Sequence, residues 1–228
     1  MILEIAVFNY ESALVAANTG ADRLELCDNY AAGGITVSRE VLKHVRENIA
    51  IPVFPIIRPR GGDFYYTGEE FNTMKTSILR CKELGFEGVV LGILNEDKSI
   101  DIKRTLELVA IASPLEVTFH RAFDDCINPL KSLEQIISCG CKRILTSGKK
   151  PSAIEGKELL AELVGLAGNR IVIMPGGGVR STVLKELIMT TAATEFHSAA
   201  LLQFAEILPD PDEIKRMLSI ISLTAANG

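Results

Sequence analysis

The sequence predicts an α/β fold, a single (β/α)₈ barrel of the TIM type spanning residues 1–228, from three observations. A short unit, in which a helical stretch stops at glycine and a β-rich run follows, recurs along the chain. Strand starts recur at a nearly constant step of about 27 residues, close to one βα unit. Eight such alternating units run without a shift of composition, which favours closure into a barrel over an open doubly wound sheet.

The first strand begins near Leu3, and the first copy of the unit, Gly20-Ala21-Asp22-Arg23-Leu24-Glu25-Leu26, gives the second. Glycine suits such a stop because a helix commonly ends on a left-handed residue, which costs glycine nothing. A helical pattern from Val37 to Asn48 leads to a third strand near Val53. Next comes a pattern from Thr67 to Leu84, opened by the capping box Thr67/Glu70. Gly85 to Leu91 is the second copy and the fourth strand, and the fifth strand begins near Leu115. Gly140 to Leu145 marks the sixth. The stretch Ser152 to Ala167, with a capping box at Ser152/Glu155, precedes Gly168 to Met174, the fourth copy and the seventh strand. An eighth strand starts near Thr194, and a helix over roughly 211–223 completes the outer ring.

Strand parity places Glu4, Glu25, Cys27, Arg58, Thr118, His120, Thr146, Glu195 and His197 inside the barrel. Their neighbours Leu24, Leu26, Ile57, Val117, Phe119 and Phe196 face the helices. Buried carboxylates need partners, and among the inward set Arg58 is the evident cation. A structural salt-bridge layer is the bland alternative to a functional role, and it weighs more for Glu4 and Glu195 than for Glu25, Arg58 and His120, which lie toward the strand C-termini, where barrels of this type place their chemistry.

Composition narrows the partners. An apolar fraction of 47% fills a core, and a net charge of −5 makes the surface a poor match for nucleic acid or anionic lipid. Small molecules or metal ions become the expected ligands. The N-terminus lacks the features of a signal peptide, and no apolar run is long enough to span a bilayer. Five cysteines, an odd number, argue against a disulfide framework and point to a reducing cytoplasm.

The loops after the strands supply candidate chemistry. Arg58-Pro59-Arg60-Gly61-Gly62-Asp63-Phe64 offers two guanidinium forks suited to carboxylate or phosphate. His120 and Asp124, in Phe119-His120-Arg121-Ala122-Phe123-Asp124, provide an imidazole and a carboxylate for proton transfer, alongside Glu25. An anion site is expected from Arg60, Ser147, the glycines Gly176, Gly177 and Gly178, Arg180, His197 and Ser198, because loops after strands 7 and 8 commonly hold phosphate. No HExxH, paired CxxC or P-loop motif occurs. Cys139 and Cys141 straddle a helix stop on the opposite face. Cys27 and Cys126 fall at the mouth, and thiolates are the soft ligands that Cu(I) selects.

Over almost its whole length the chain resembles the CutC family of copper homeostasis proteins. The segments that carry the resemblance are Ala21 to Cys27, Ile57 to Phe64, Thr118 to Asp124, Leu145 to Gly148 and Gly178 to Arg180. It implies a (β/α)₈ barrel, a cytoplasmic protein that forms a homo-oligomer, most simply a dimer, and Cu(I) binding in which Cys27 takes part. Val37 stands where the family has proline after Gly33-Gly34-Ile35-Thr36, Gly177 replaces an alanine, and Ala199 replaces a second serine. Two expectations result: Cu(I) handling through Cys27 with Cys126 or His120, and an enzyme acting by acid/base chemistry on a small phosphorylated or carboxylated substrate.

Overall fold

A computed structural model describes residues 1–201 and 207–225. Eight strands, β1 (Ile2–Val7), β2 (Arg23–Leu26), β3 (Val53–Pro55), β4 (Gly88–Leu91), β5 (Glu116–Phe119), β6 (Arg143–Thr146), β7 (Val172–Pro175) and β8 (Glu195–Ser198), begin within two residues of their expected starts. Among the described residues they alternate with helices α1 (Tyr10–Thr19), α2 (Arg39–Asn48), α3 (Gly68–Glu83), α4 (Ile102–Ala112), α5 (Ala122–Asp125), α6 (Pro129–Ser138), α7 (Lys157–Ala167), α8 (Ser181–Thr191) and α9 (Pro211–Ala225). The four glycines read as helix stops, Gly20, Gly85, Gly140 and Gly168, all have positive φ. Thr67 and Glu70 form the expected reciprocal cap of α3. Ser152 and Glu155 instead close a turn ahead of α7, whose first residue is Lys157. The expected capping box is therefore not formed: the Ser152 hydroxyl donates to the Glu155 carboxylate, and α7 begins beyond this turn without a side-chain cap.

Parallel ladders run β3-β2-β1-β8 and β4-β5-β6-β7. The two halves join where Ile56 bridges Val90 and the Ile57 N–H donates to the Val90 carbonyl at 2.7 Å. At the other seam β7 lies against β8 through side chains: a Cβ on Gly176 would sit 3.3 Å from His197 Cβ, and Ser198 Oγ donates to the Val179 carbonyl at 2.6 Å. These contacts close the (β/α)₈ barrel.

Burial divides by parity. Leu3, Ile5, Leu24, Val53, Ile57, Val117, Phe119 and Phe196 join helix residues such as Leu42, Met74, Leu160 and Leu184 in one large outer cluster. Cys27, Phe54, Ile56 and Val90 form a second, smaller cluster in the lumen. In β6 the expected parity is off by one. Arg143 pairs in register with the inward Thr118, so Arg143 and Leu145 face the lumen and Thr146 faces out.

Arg143 and Arg23 also replace Arg58 as partners of the buried acids. Arg23 bridges Glu4 and Glu195, and Arg143 holds Glu195 at 3.0 Å and Glu116 at 2.9 Å. Both guanidinium groups lie about 5 Å from the centre of the Phe54 ring, within cation–π range. A paired charge layer therefore fills the N-terminal end of the lumen.

Candidate ligand site at the barrel mouth

Above that layer, at the C-terminal ends of the strands, a cavity of about 270 Å³ opens. Its floor is Ala6 of β1, Glu25 of β2, Leu145 of β6 and His197 of β8. Phe8, Tyr30 and Phe64 build an aromatic wall, with the first two rings edge to face at 5.0 Å. Around the rim stand Arg58, His120, Arg121, Gly177, Gly178 and Arg180.

The floor carries a chain of ionisable groups. His197 Nδ1 lies 2.8 Å from Glu4 Oε1, and its Nε2 lies 3.6 Å from Glu25 Oε2. Burial raises Glu25 to about 7, with the Glu4 charge adding to the rise and His197 opposing it. Burial works against His197 protonation, yet its hydrogen bond to Glu4 and the charges of Glu25 and Glu4 outweigh it and raise its pKa. Burial also works on Glu4, where His197 and Arg23 win and lower it to about 2. Glu4 is thus a fixed anion, while Glu25 is raised toward neutrality and His197 is raised by the acids on either side of it.

Several expected site residues are placed otherwise. Arg58 lines the cavity, but its guanidinium donates to the carbonyls of Ala32, Gly33, Gly34 and Gly62 at 2.9–3.1 Å, stapling the loop after β2. Arg60 lies outside the cavity because Asp63 and Glu70 hold its fork. Asp124 does not reach the cavity either. Its carboxylate accepts from Thr146 Oγ1, from the Ser147 and Lys149 amides and from Arg121, so it clamps the loop after β6 instead of relaying protons. Ser147 is fully buried within that clamp.

The anion site contracts accordingly. Gly176 packs beneath it, where a Cβ would meet Leu145 Cδ1 at 2.3 Å. Ser198 Oγ donates to the Val179 carbonyl and accepts from Arg180 and Ala200, so it has no hydrogen left for a ligand. The first amide of α8 is capped by the carboxylate of Glu213 from α9 at 2.6 Å, which occupies the helix N-terminus with the protein's own anion. Gly177, Gly178, Arg180 and Arg121 remain at the cavity, but Arg180 already gives Nη1 and Nη2 to Val179, Ser198 and Leu201, and Arg121 gives Nε to Asp124 and Nη2 to Ser147, so Arg121 Nη1 is the least committed cationic donor among them. Gly177 has φ +95°, and a Cβ there would crowd the Arg121 guanidinium at 3.3 Å, so glycine in place of the family's alanine keeps that cation close. Arg121 was overlooked because its neighbours His120 and Asp124 carried the obvious chemistry; its place in a mouth loop was the available signal. Tyr30 and Phe8 gave no signal, since nothing in their local sequence says that they meet.

His120 has a partner of a different sort from the expected carboxylate. The Ala122 N–H donates to its Nδ1 at 3.2 Å, and burial, followed by the Arg58 cation, drives the ring down to about 3. It stays neutral and does not shuttle protons near pH 7. Cys27 is 2% exposed, and burial and then the Glu25 charge hold its thiol well above the ordinary range. Cys126 packs in the outer cluster, apart from the lumen cluster that holds Cys27, so the two thiols do not form a pair. Among the described residues no three His, Cys, Asp or Glu side chains are grouped to hold a metal ion. The residues present do not fit a preformed copper site.

The barrel and its mouth define the class: a TIM-type barrel protein with a cavity at the C-terminal ends of its strands. The CutC family model matches residues 1–202, and the chain belongs to that family. A family protein CutC of Salmonella schwarzengrund is 46% identical over 210 residues, covering 92% of this chain and 82% of the relative. The crystal structure of CutC from Streptococcus agalactiae, named for copper homeostasis, matches with TM-score 0.83 and 34% identity, covering 87% of this chain and 98% of that one. Phosphoribosylanthranilate isomerase of Thermotoga maritima matches with TM-score 0.62 and 17% identity over 97% of this chain and 99% of its own, a likeness of fold alone. No helix among the described residues is long and apolar enough to cross a membrane.

Proposed function

We propose that the cavity binds a small organic anion, phosphorylated or carboxylated, and moves a proton on it. Glu25 and His197 handle the proton, and Arg121, Arg180 and the Gly177–Gly178 backbone receive the anion. The observation that carries this reading is the buried Glu4–His197–Glu25 chain open to the cavity, with Glu25 poised near 7. Inorganic phosphate is expected to raise the melting temperature, since a ligand at a hundred times its Kd adds about 2.7 kcal/mol of stability. Arg121→Met should weaken that effect about tenfold or more in phosphate concentration. A melting temperature unmoved by phosphate and small carboxylates removes the reading.

A second reading, Cu(I) handling, is supported by the name of the Streptococcus agalactiae relative and by the Cys27 thiol on the cavity wall. Here copper is cargo, and its arrival must displace the thiol proton and draw a second ligand toward Cys27. Cys27→Ser is expected to abolish tight Cu(I) binding in a competition titration while Cys126→Ser leaves it intact; equal affinities in all three proteins exclude this reading. In both readings the chain acts in the cytoplasm as a homodimer, as the family resemblance implies, and sedimentation equilibrium measures the subunit number.

A further inference from the structure

His120 carries a feature that the Glu25–His197 pair does not use. A neutral imidazole has one donor and one acceptor nitrogen, and the Ala122 amide donating to Nδ1 makes Nδ1 the acceptor, so the hydrogen lies on Nε2. That Nε2 is buried and has no hydrogen-bond partner among the described residues. The other edge of the ring is pressed on the residue just after β4, where a Cβ at Gly92 would sit 2.5 Å from Nδ1 and 2.6 Å from Cε1. Phe64 stands against the ring at 4.9 Å between centroids. The ring as a whole is part of the cavity lining. An unmade hydrogen bond at a buried donor is worth about 10- to 100-fold in an equilibrium, so a ligand that completes it gains that factor.

We propose that His120 is a fixed N–H donor and that the ligand of this cavity bears a carbonyl oxygen that accepts from Nε2. Burial and the Arg58 cation keep the ring neutral, so the donor persists across the neutral range. The assignment rests on the small-anion reading: the anionic group sits by Arg121 and Arg180 while the carbonyl reaches across to His120. It also names the step. The C–H bond beside the carbonyl breaks, its proton passes to the Glu25 carboxylate, and the bonding pair becomes an enolate whose charge develops on the oxygen facing Nε2.

Hydroxyacetone phosphate and propyl phosphate differ by one carbonyl in place of a methylene, and calorimetry compares them on the full chain beside inorganic phosphate. All three are expected to bind, with hydroxyacetone phosphate about tenfold or more tighter than propyl phosphate. His120→Phe should lose that preference and keep inorganic phosphate, while His120→Asn, which retains an N–H donor, should restore part of it. Nitrogen-15 NMR on the unmutated protein reads the same assignment: a proton on Nε2, no ring titration over about pH 5 to 9, and a shift of Nε2 with hydroxyacetone phosphate. Equal affinity for the two phosphates, or a proton on Nδ1, overturns the assignment and leaves the anion site standing. If none of the three ligands binds, the small-anion reading fails and this assignment falls with it.

Discussion

The two ends of the barrel lumen contain the same residue types, acids, arginines and aromatics, in opposite states of satisfaction. At the N-terminal end Arg23 and Arg143 answer Glu4, Glu195 and Glu116, and Phe54 fills the space between them. At the mouth Glu25 lies 3.6 Å from a histidine shared with Glu4, and His120 Nε2 has no partner among the described residues. Buried polar groups are normally paired, so the unpaired end is where a ligand belongs and the paired end is scaffold. Residue type alone does not separate scaffold from site; the pairing does.

The sharpest way to break that comparison is to unpair the scaffold. Arg23→Met leaves Glu4 and Glu195 buried without their shared cation and is expected to cost about 3–5 kcal/mol in chemical denaturation. A loss below about 1 kcal/mol would show that the lower layer is not held by that bridge.

The second test uses pH. Burial raises the folded Glu25 carboxyl from 4.5 to about 7, so between those values the folded state keeps a proton that the unfolded state has released, and stability falls as pH rises. His197 has the same sign, because its raised folded pKa gives stability below the ordinary histidine value that is lost as pH climbs through the folded one. Glu4 acts oppositely, losing its contribution only as pH falls toward 2. Denaturation midpoints should therefore decline from about pH 4.5 to 7, and Glu25→Gln should flatten most of the decline. An unchanged slope in that variant assigns the titration to another group.

The smallest effect concerns the rim. Ala199 lines the cavity beside Ser198, whose own hydroxyl is saturated. Ala199→Ser restores the hydroxyl that the family resemblance leads one to expect and should tighten phosphate binding about two- to tenfold, the worth of one net hydrogen bond. No change would place the anion away from the loop after β8.

Legibility followed the range of the physics involved. Each helix-stop glycine and strand start depends on neighbours a few residues away, which is why Gly20, Gly85, Gly140 and Gly168 marked the repeat correctly. Parity found Glu25, Cys27, His120 and His197 in the lumen, and it failed at Thr146, which was placed inward although Arg143, three residues earlier on the same strand, has the opposite parity and takes the lumen. Pairing was not legible at all. Arg58 looked like the cation for the acids, yet it lies at the top of β3 and staples a loop, while Arg23 and Arg143 sit at the acids' own level.

By itself, then, the sequence determined the barrel, the direction of its strands and many of the polar side chains that enter the lumen, because periodicity and helix-stop chemistry are local. Only the tertiary structure decided which of those side chains are neutralised and which stay open to a ligand. Asp124, Arg60 and Ser147 were withdrawn from the site by partners in other segments, and Arg121 was brought to it. The reason is that hydrogen bonding is exclusive: a donor or acceptor already engaged by a distant part of the chain is no longer available, and nothing along the sequence records that engagement.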